Sequence, residues 1–382
     1  MLIAGEPSGD LLAAELVNAL KTGLAHEPFP PKFFGAGGAQ MAAAGVELAF
    51  DLTQHAVIGL VEALKNYGKF KRLFDQLLQL ACVRQPDVIV CVDFSGFNRR
   101  FAAAVRRMTR ARSGPFQNWR PRLVQYVSPQ VWASRPGRAY SLERDLDLLL
   151  SILPFEKEWY AKHAPRLRVE FVGHPICERF EVGSSKAKVL SAKSHVLLLP
   201  GSRAGELARH LPPMVEAGRL IQQARPETHF LMVLPNEDLK RLAAESSTRL
   251  PGLHVQIGGL GEALREATVA IASTGTVTLE CAFFGVPTVA IYQTSWSTYQ
   301  IGRRIITVDF LAMPNLLAGE AIFPELIQHA ATGENIAHAA LELLQDESRR
   351  TVVKLKLAHV ITSLGGPGAS GRAAKAVLGL GD

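Results

Sequence analysis

Short apolar runs alternate with longer amphipathic stretches along the whole chain. The runs are almost continuously apolar, which is typical of parallel strands that are covered on both faces. The stretches between them, such as residues 11–20 and 212–224, have apolar positions at helical spacing. This alternation predicts an α/β fold with parallel sheets. The runs that predict strands are VRQPDVIVCVDF, PRLVQYVSP, RVEFVG, SHVLLLPGSR, THFLMVLP, LHVQIGG, TVAIAS and PTVAIYQ.

The alternation is interrupted near residues 171–195, where the chain loses its apolar period and gains Gly, Ser and Lys. We therefore expect two Rossmann-like domains, residues 1–172 and 173–346. A helical tail over residues 347–382 is expected to follow, and such a tail can cross back to the first domain. Ligands of open α/β sheets bind at the carboxyl ends of the strands. Loops of both domains are thus expected to face a cleft.

The length and composition are consistent with two globular domains and exclude several classes. The chain has 382 residues, enough for two cores. No apolar run approaches the ~18 residues of a membrane-spanning helix, and the start lacks the regions of a signal peptide. The four cysteines are far apart in sequence, which favours buried free thiols in a reducing cytoplasm over a zinc site.

Positive charge is concentrated in one part of the chain. The formal net charge is +7, and residues 94–142 contain ten arginines but no Asp or Glu. Such a block favours an anionic partner, which could be a phosphate ligand, an anionic lipid or a nucleic acid. A solvated basic face is the alternative.

In the first domain, two segments at the ends of strands contain residues that are suited to binding or catalysis. The segment GEPSGD, with Glu6 and Ser8, lies between a strand and a helix, where backbone N–H groups can bind an anion. The alternative is a plain turn in which Ser8 or Asp10 caps the helix. Asp93 ends the run VIVCVD, and a carboxylate there can act as a base or cap the next helix.

Two further segments predict a phosphate site in the second domain. In LPGSRAGE, Arg203 follows a glycine turn, and its guanidinium suits a pyrophosphate, although a surface ion pair is the alternative. In the segment STGTVTLE, Ser273, Thr274, Gly275 and Thr276 are typical of a phosphate cradle at a helix start. Glu280 follows one turn later and can accept hydrogen bonds from ribose hydroxyls, or be a buried polar residue of a capped helix.

A basic amphipathic stretch, residues 57–80, can lie in a membrane interface or belong to the core. Its candidate membrane-side and acceptor-side residues are Val57, Leu60, Leu64, Lys69 and Arg72. His174 is expected to be a hinge or core histidine. The chain lacks the zinc-protease, α/β-hydrolase and P-loop motifs, and no metal or cofactor is expected.

Taken together, these segments resemble lipid-A-disaccharide synthase, an inverting glycosyltransferase family of the GT-B architecture. Three of the matching motifs, YVSPQVWA, LPFEKEWY and PNLLAG, are highly specific. The matches span residues 4 to about 319 in the family's order. The other matching stretches are AGEPSGD, FGAGGAQM, AVIGLVEAL, QPDVIVCVDFSGFN, FVGHP, LLPGSR and ASTGTVTLECA.

The resemblance implies a reaction. A 2,3-diacylglucosamine unit passes from its UDP donor to the 6-hydroxyl of 2,3-diacylglucosamine 1-phosphate, which forms a β-1′,6 link and releases UDP. It implies that Asp93 is the general base and that Asn315 is a second catalytic residue, important for activity. Arg203 matches the residue for the donor pyrophosphate and Glu280 the residue for the ribose, while Glu6 and Ser8 match the first loop at the cleft.

The resemblance also implies the setting. The acylated substrates imply a cytoplasmic enzyme bound peripherally to the inner face of the inner membrane, with the anionic membrane surface as a partner. Nucleic acid is not expected, and a homodimer is kept as an option. The sequence departs from the family pattern at Ala39, Ser134 and Gln293, which bear on acyl specificity and phosphate contacts.

Two alternatives remain at this point. One is another GT-B enzyme, such as a UDP-N-acetylglucosamine 2-epimerase or a peptidoglycan-type transferase, which would have a similar UDP site. The other is a non-enzymatic basic module that binds nucleic acid or membrane. The basic block lacks the aromatic signature of an RNA-binding sheet, and such a module would not need glycine-rich loops at its strand ends.

Overall fold

The computed structural model describes residues 1–55, 67–111, 114, 118–180 and 195–380. These residues form two compact units. The first comprises residues 1–178 and 364–382, and the second comprises residues 179–363. The sequence instead placed its boundaries after residues 172 and 346 and set the tail apart.

The first unit is built on a parallel sheet, which in the described residues has seven strands. These strands are β1 (Leu2–Ala4), β2 (Phe34–Gly37), β3 (Glu47–Asp51), β4 (Val88–Val92), β5 (Arg122–Tyr126), β6 (Leu148–Ser151) and β7 (Val169–Phe171). Their order is β3-β2-β1-β4-β5-β6-β7. The order reverses direction between β1 and β4, so the crevice for a ligand in such a sheet lies there.

Helices cover both faces of this sheet. In β4, Val90 and Val92 pack into one core, while Ile89 and Cys91 pack into the core on the other face. The continuous apolar run is therefore a strand buried on both sides. The helices of this part are α1 (Pro7–Gly23), α2 (Ala39–Ala43), α3 (Tyr67–Arg84), α4 (Ser95–Ala111), α5 (Ala139–Asp145), α6 (Glu156–His163) and α7 (Ile176–Arg179).

The second unit repeats the same plan with a parallel sheet that has six strands in the described residues. They are β8 (His195–Leu199), β9 (His229–Leu234), β10 (Leu253–Ile257), β11 (Val269–Ser273), β12 (Thr288–Tyr292) and β13 (Glu325–Ile327). The order β10-β9-β8-β11-β12-β13 reverses between β8 and β11. Both sheets confirm the predicted parallel α/β class.

The helices of the second unit cover two cores, one on each face of its sheet. They are α8 (Ala204–Ala224), α9 (Glu237–Ser247), α10 (Leu260–Glu266), α11 (Thr276–Phe283), α12 (Trp296–Ile305), α13 (Met313–Ala318), α14 (Gly333–Gln345) and α15 (Glu347–Ser363). The predicted helix over residues 212–224 starts earlier, at Ala204, and contains Pro212 and Pro213 in its interior.

The tail consists of two helices rather than one. Helix α15 belongs to the second unit, and α16 (Ala369–Leu378) packs against α1 in the first. Positive φ angles at Gly365, Gly366 and Gly368 break the helix between them. The Arg372 guanidinium donates to the carbonyls of Val172, Gly365, Gly366 and Pro367, which fixes this turn to the end of β7.

Candidate functional site

In the first unit, the loops after β1 and β4 lie against each other at the point where the strand order reverses. A Cβ at Gly5 would lie 2.3 Å from the Phe94 ring, and a Cβ at Gly9 would lie 3.5 Å from the Asp93 Cβ. Glycine at position 5 therefore permits this close approach. The GEPSGD loop, with half-buried Glu6 and exposed Ser8, thus lies beside Asp93.

Asp93 has an uncommon backbone conformation. Its φ angle is 48°, and that of Phe94 is 44°, which is rare for two consecutive non-glycine residues. Two buried amide side chains hold the turn through the Asp93 carbonyl oxygen: Asn98 Nδ2 donates at 2.8 Å and Gln125 Nε2 at 3.1 Å. Strain that is held in place in this manner is common at functional sites.

The Asp93 carboxyl is half-buried. Burial raises its pKa above the ordinary value, while a hydrogen bond from the Phe94 backbone N–H opposes the shift. A raised pKa makes a carboxylate a stronger base. The structure therefore gives Asp93 the properties of a proton acceptor.

Asp10 and Ser8 do not cap α1, contrary to the alternative drawn from the sequence. The cap position is Glu6, and no side chain there bonds to the helix. The buried Asp10 carboxylate instead accepts hydrogen bonds from the backbone N–H groups of Gly38, Gln40 and Met41. It thereby joins α1 to the start of α2.

In the second unit, Arg203 occupies the cap position at the start of α8, directly after β8. Its guanidinium donates to Glu206 at 3.2 Å and is 72% exposed. The ion pair considered from the sequence is thus present. Because an exposed pair of this type contributes little to stability, it leaves the guanidinium available to an anion.

The loop after β11 lies beside the loop after β8, because the two strands are neighbours. Ser273 is buried at the strand end and Thr274 is half-buried, whereas Gly275 and Thr276 are exposed. Gly275 has a φ of 134°, and a Cβ there would meet no described atom within 4 Å. The first turn of α11 therefore faces open space at the place where sheets of this type bind phosphates.

Glu280 lies one turn into α11. Burial raises the pKa of its carboxyl, and the positive charge of Arg179 opposes this shift. The structure thus brings Arg203, the Ser273–Thr276 loop and Glu280 to one edge of the second sheet.

Asn315 lies elsewhere in the second unit, on α13, and its side chain is fully buried. Its Nδ2 donates to the Phe323 carbonyl and to Glu325 Oε1, and its Oδ1 accepts from the N–H groups of Ile322 and Phe323. All its hydrogen bonds are made within the fold. This geometry lets Asn315 position the segment at Ile322 and Phe323, and its predicted catalytic role stays a prediction.

Sequence reasoning missed a buried polar cluster around Glu156 in the first unit. The Glu156 carboxyl accepts from Trp132 Nε1 at 2.9 Å and lies 2.6 Å from Ser151 Oγ. Burial raises its pKa to about 7, against opposing hydrogen bonds. Nearby, Ser128 Oγ donates to the Tyr160 hydroxyl. The clustering of these residue types in YVSPQVWA and LPFEKEWY was the signal that could have found them.

A second missed residue is His210, which is buried on α8. Its Nδ1 contacts the Pro200 carbonyl at 2.9 Å, and its Nε2 accepts from the Gln293 N–H at 2.9 Å. The Gln293 side chain donates in turn to the Gln328 and Ala331 carbonyls. These contacts connect the loops after β8 and β12, and they give Gln293 a structural role.

The proposed membrane-side residues are only partly described. Lys69 and Arg72 are exposed on α3, while Val57, Leu60 and Leu64 lie outside the described residues. No helix among the described residues is long and apolar enough to span a bilayer. In the same part of the chain, no group of three His, Cys, Asp or Glu side chains is placed to hold a metal ion.

The fold is shared with solved structures of an epimerase and a glycosyltransferase. The structure of UDP-N-acetylglucosamine 2-epimerase from Neisseria meningitidis bound to UDP-GlcNAc covers 99% of this chain and 98% of its own, with a TM-score of 0.65 and 11% identity. A spinosyn rhamnosyltransferase complexed with thymidine diphosphate covers 100% and 99%, with a TM-score of 0.59 and 16% identity. Two parallel α/β sheets with these neighbours define the GT-B-like class.

Comparison of sequences identifies the family. The model of the lipid-A-disaccharide synthetase family matches residues 1–377. The lipid-A-disaccharide synthase of Geobacter metallireducens is 36% identical over 99% of this chain and 96% of its own length. That of Myxococcus xanthus is 36% identical over 100% and 97%. The chain therefore belongs to the lipid-A-disaccharide synthase family, glycosyltransferases of lipid A biosynthesis, as the sequence motifs predicted.

Proposed function

We propose that the enzyme transfers 2,3-diacylglucosamine from its UDP donor to the 6-hydroxyl of 2,3-diacylglucosamine 1-phosphate. The product is the β-1′,6-linked disaccharide, and UDP is released with inversion at the anomeric carbon. The observation that carries the proposal is the Asp93 carboxyl, held in a strained turn beside the GEPSGD loop. Membership of the family supports the choice of substrates.

Asp93 takes the proton of the 6-hydroxyl while that oxygen attacks the anomeric carbon of the donor. The new C–O bond forms as the bond to the UDP phosphate breaks, and the leaving phosphate retains the electron pair. An inverting transfer needs one base for the attacking hydroxyl. The raised pKa of Asp93 suits this role.

The donor UDP is assigned to the second unit. The guanidinium of Arg203 and the backbone N–H groups of the Ser273–Thr276 loop bind the pyrophosphate and stabilise the charge that develops on it. The Glu280 carboxyl accepts hydrogen bonds from the ribose hydroxyls. The positions of Arg203 and Gly275 at neighbouring strand ends support this assignment.

We further propose that the protein works on the cytoplasmic leaflet of the inner membrane. Both substrates carry acyl chains, and the exposed cations Lys69 and Arg72 on α3 suit an anionic bilayer surface. Val57, Leu60 and Leu64 are the proposed apolar contribution to the same contact.

A single-turnover assay in mixed micelles tests the proposed reaction, with wild type, Asp93→Asn and Asp87→Asn. Asn tolerates a positive φ, so Asp93→Asn removes the base but keeps the turn. Asp87 is exposed and lies just before β4, at the other end of that strand, and it is the matched control. We expect disaccharide from wild type and from Asp87→Asn, and a loss of roughly 10²-fold or more in Asp93→Asn.

Two results would contradict the proposal. Absence of disaccharide with folded wild-type protein, or an epimerised monosaccharide in its place, would exclude the transfer. If Asp93→Asn kept full turnover, the proposed reaction would stand, but another residue would be the base.

A further inference from the structure

Four arginines of the first unit lie together at the carboxyl edge of its sheet. Arg99 and Arg100 are in α4, which starts directly after β4 and Asp93. Arg135 and Arg138 follow β5, where Arg135 directly precedes the short 3₁₀ turn Pro136–Arg138 and Arg138 ends it. Because β4 and β5 are neighbouring parallel strands, their following segments meet at the same edge. We refer to these residues as the arginine cluster.

The four positive charges are close enough to affect each other. Partial burial, and then the charges of Arg99, Arg135 and Arg100, lower the pKa of Arg138. Like charges held together raise the free energy of the folded chain unless an anion compensates them. The first turn of α4 adds the positive end of a 17-residue helix and contains no acidic residue.

The described residues supply no such anion. Neighbouring arginines form ion pairs, as Arg106 does with Asp147 and Arg144 with Asp145. None of the four arginines of the cluster forms an ion pair or a side-chain hydrogen bond with any residue that the structure describes. Residues 94–142 contain no Asp or Glu that could do so. The positive charge is therefore uncompensated within this part of the protein.

The surface at the cluster is open. Arg99 and Arg138 are half-buried, while Arg100 and Arg135 are exposed. A Cβ at Gly96 or at Gly137 would meet no described atom within 4 Å. Small residues in the first turn of α4 and between the two arginines of the β5 loop thus leave room for a compact ligand.

We propose that the arginine cluster binds the phosphomonoester of the acceptor sugar. This inference rests on the proposed function and extends it to the binding of the second substrate. Guanidinium groups donate paired hydrogen bonds to phosphate oxygens, and a phosphomonoester offers three of these oxygens. A dianionic group compensates several cations at one place, which suits a compact cluster.

The position of the arginine cluster relative to Asp93 fits the binding of the acceptor phosphate. The acceptor has its phosphate on C1 and its reacting hydroxyl on C6, the exocyclic carbon attached to C5 on the other side of the ring oxygen, so base and phosphate site must be near but separate. Arg99 and Arg100 are on the helix that follows Asp93, yet neither pairs with its carboxylate among the described contacts. Burial consequently still raises the pKa of Asp93, and the carboxylate keeps its strength as a base.

The experiment compares two acceptors in mixed micelles: the natural 1-phosphate and the neutral methyl glycoside of the same diacylglucosamine. The variants are Arg99→Gln and Arg138→Gln. The matched control is Arg107→Gln, an exposed arginine further along α4. Each variant is also tested for binding of water-soluble glucosamine 1-phosphate by calorimetry and for sedimentation with anionic vesicles.

We expect wild type to prefer the phosphorylated acceptor in kcat/KM. Arg99→Gln and Arg138→Gln should each lower kcat/KM for that acceptor on the order of 10-fold to 100-fold and leave the neutral acceptor unchanged. Glucosamine 1-phosphate binding should weaken in parallel. Arg107→Gln should behave as wild type in each measurement.

Four results would overturn the inference. If kcat/KM fell equally with both acceptors, or fell with neither, the arginine cluster would not bind the acceptor phosphate. Unchanged acceptor preference with reduced vesicle binding would assign the cluster to the bilayer surface. Absence of any disaccharide would contradict the proposed function instead. In that case, unchanged binding of glucosamine 1-phosphate in Arg99→Gln and Arg138→Gln would still refute the phosphate site.

Discussion

The side-chain amide of Asn98 donates a 2.8 Å hydrogen bond to the backbone carbonyl of Asp93. The same Nδ2 donates to the Val92 carbonyl at 3.1 Å. Asn98, in the first turn of α4, thus holds Asp93 in a conformation with positive φ. The carboxylate that we propose as the base is consequently positioned by a residue that need not touch substrate.

Replacing Asn98 with Ala should destabilise the protein and slow the reaction. The partly buried Asp93 carbonyl would lose one of its two amide donors, at a cost of about 1–3 kcal/mol in the free energy of unfolding. We expect kcat to fall more than KM changes, because the turn would move the base and not the binding residues. Urea unfolding and steady-state kinetics measure both effects.

The exposed Asn18 on α1 is the control, and Asn18→Ala should change neither stability nor rate. Normal kcat and an unaltered unfolding free energy in Asn98→Ala would show that the turn does not depend on this amide.

Glu156 should make stability depend on pH. Its pKa is raised from 4.5 to about 7 in the fold, so the folded state binds its proton more tightly than the unfolded state does. The stabilising contribution is complete below pH 4.5 and is lost as the pH rises through 7, by up to about 3 kcal/mol. A neutral Glu156 can donate to Ser151 Oγ, which leaves the Ser151 hydroxyl proton for the Leu153 carbonyl at 2.8 Å.

Unfolding free energies measured from pH 5 to pH 8 check this expectation. Glu156→Gln keeps a neutral side chain and should flatten the dependence in that interval, whereas Glu158→Gln, at an exposed position on the same helix, should not. A profile that is identical in wild type and Glu156→Gln would refute it.

Asn315 distinguishes a positioning role from a catalytic one. Asn315→Ala would leave the buried N–H groups of Ile322 and Phe323 without their acceptor, so we expect a loss on the order of 2–4 kcal/mol of stability. Asn315→Asp would place a second carboxylate against Glu325 and should be no more stable than Asn315→Ala. Denaturant unfolding in parallel with kcat is the measurement. A stable but inactive Asn315→Ala would restore the catalytic assignment.

Arg203→Ala should weaken donor use and leave stability almost intact. The exposed pair with Glu206 contributes roughly 0–1 kcal/mol, whereas loss of a guanidinium from a pyrophosphate should cost about 10-fold to 100-fold in kcat/KM for the UDP donor. Arg219→Ala, on the exposed side of α8, is the control. Equal donor kinetics in the two variants would exclude Arg203 from the site.

Much of the fold could be predicted because its strands are buried on both faces. Apolar runs such as VIVCV and VLLL have one dominant physical solution, a central parallel strand, and each is found as a strand. Shorter strands at the edges, such as β13 at Glu325–Ile327, lack this pattern and were not identified. The Gly-Gly-Pro-Gly break in the tail was visible in the sequence, but helical periodicity on both sides of it concealed the end of α15.

For the candidate site, the sequence predicted where its residues lie along the fold but not the contacts that they make. Strand ends and glycines located Asp93, Arg203 and the Ser273–Thr276 loop. The sequence could not show that Asp10 bonds to the start of α2 or that Asn315 is fully buried, because both depend on contacts between distant segments. The same holds for Glu156, since the burial that raises its pKa comes from packing against the segments at the ends of β5 and β6.

The first unit is discontinuous in sequence, since α16 packs against α1 while residues 179–363 form the second unit between them. During synthesis the second unit can complete its core as a continuous segment. The first sheet, although made earlier, lacks its last covering helix until the ribosome has passed residue 378. The unit that contains Asp93 therefore completes its core only after the unit that we assign to the donor has been synthesised.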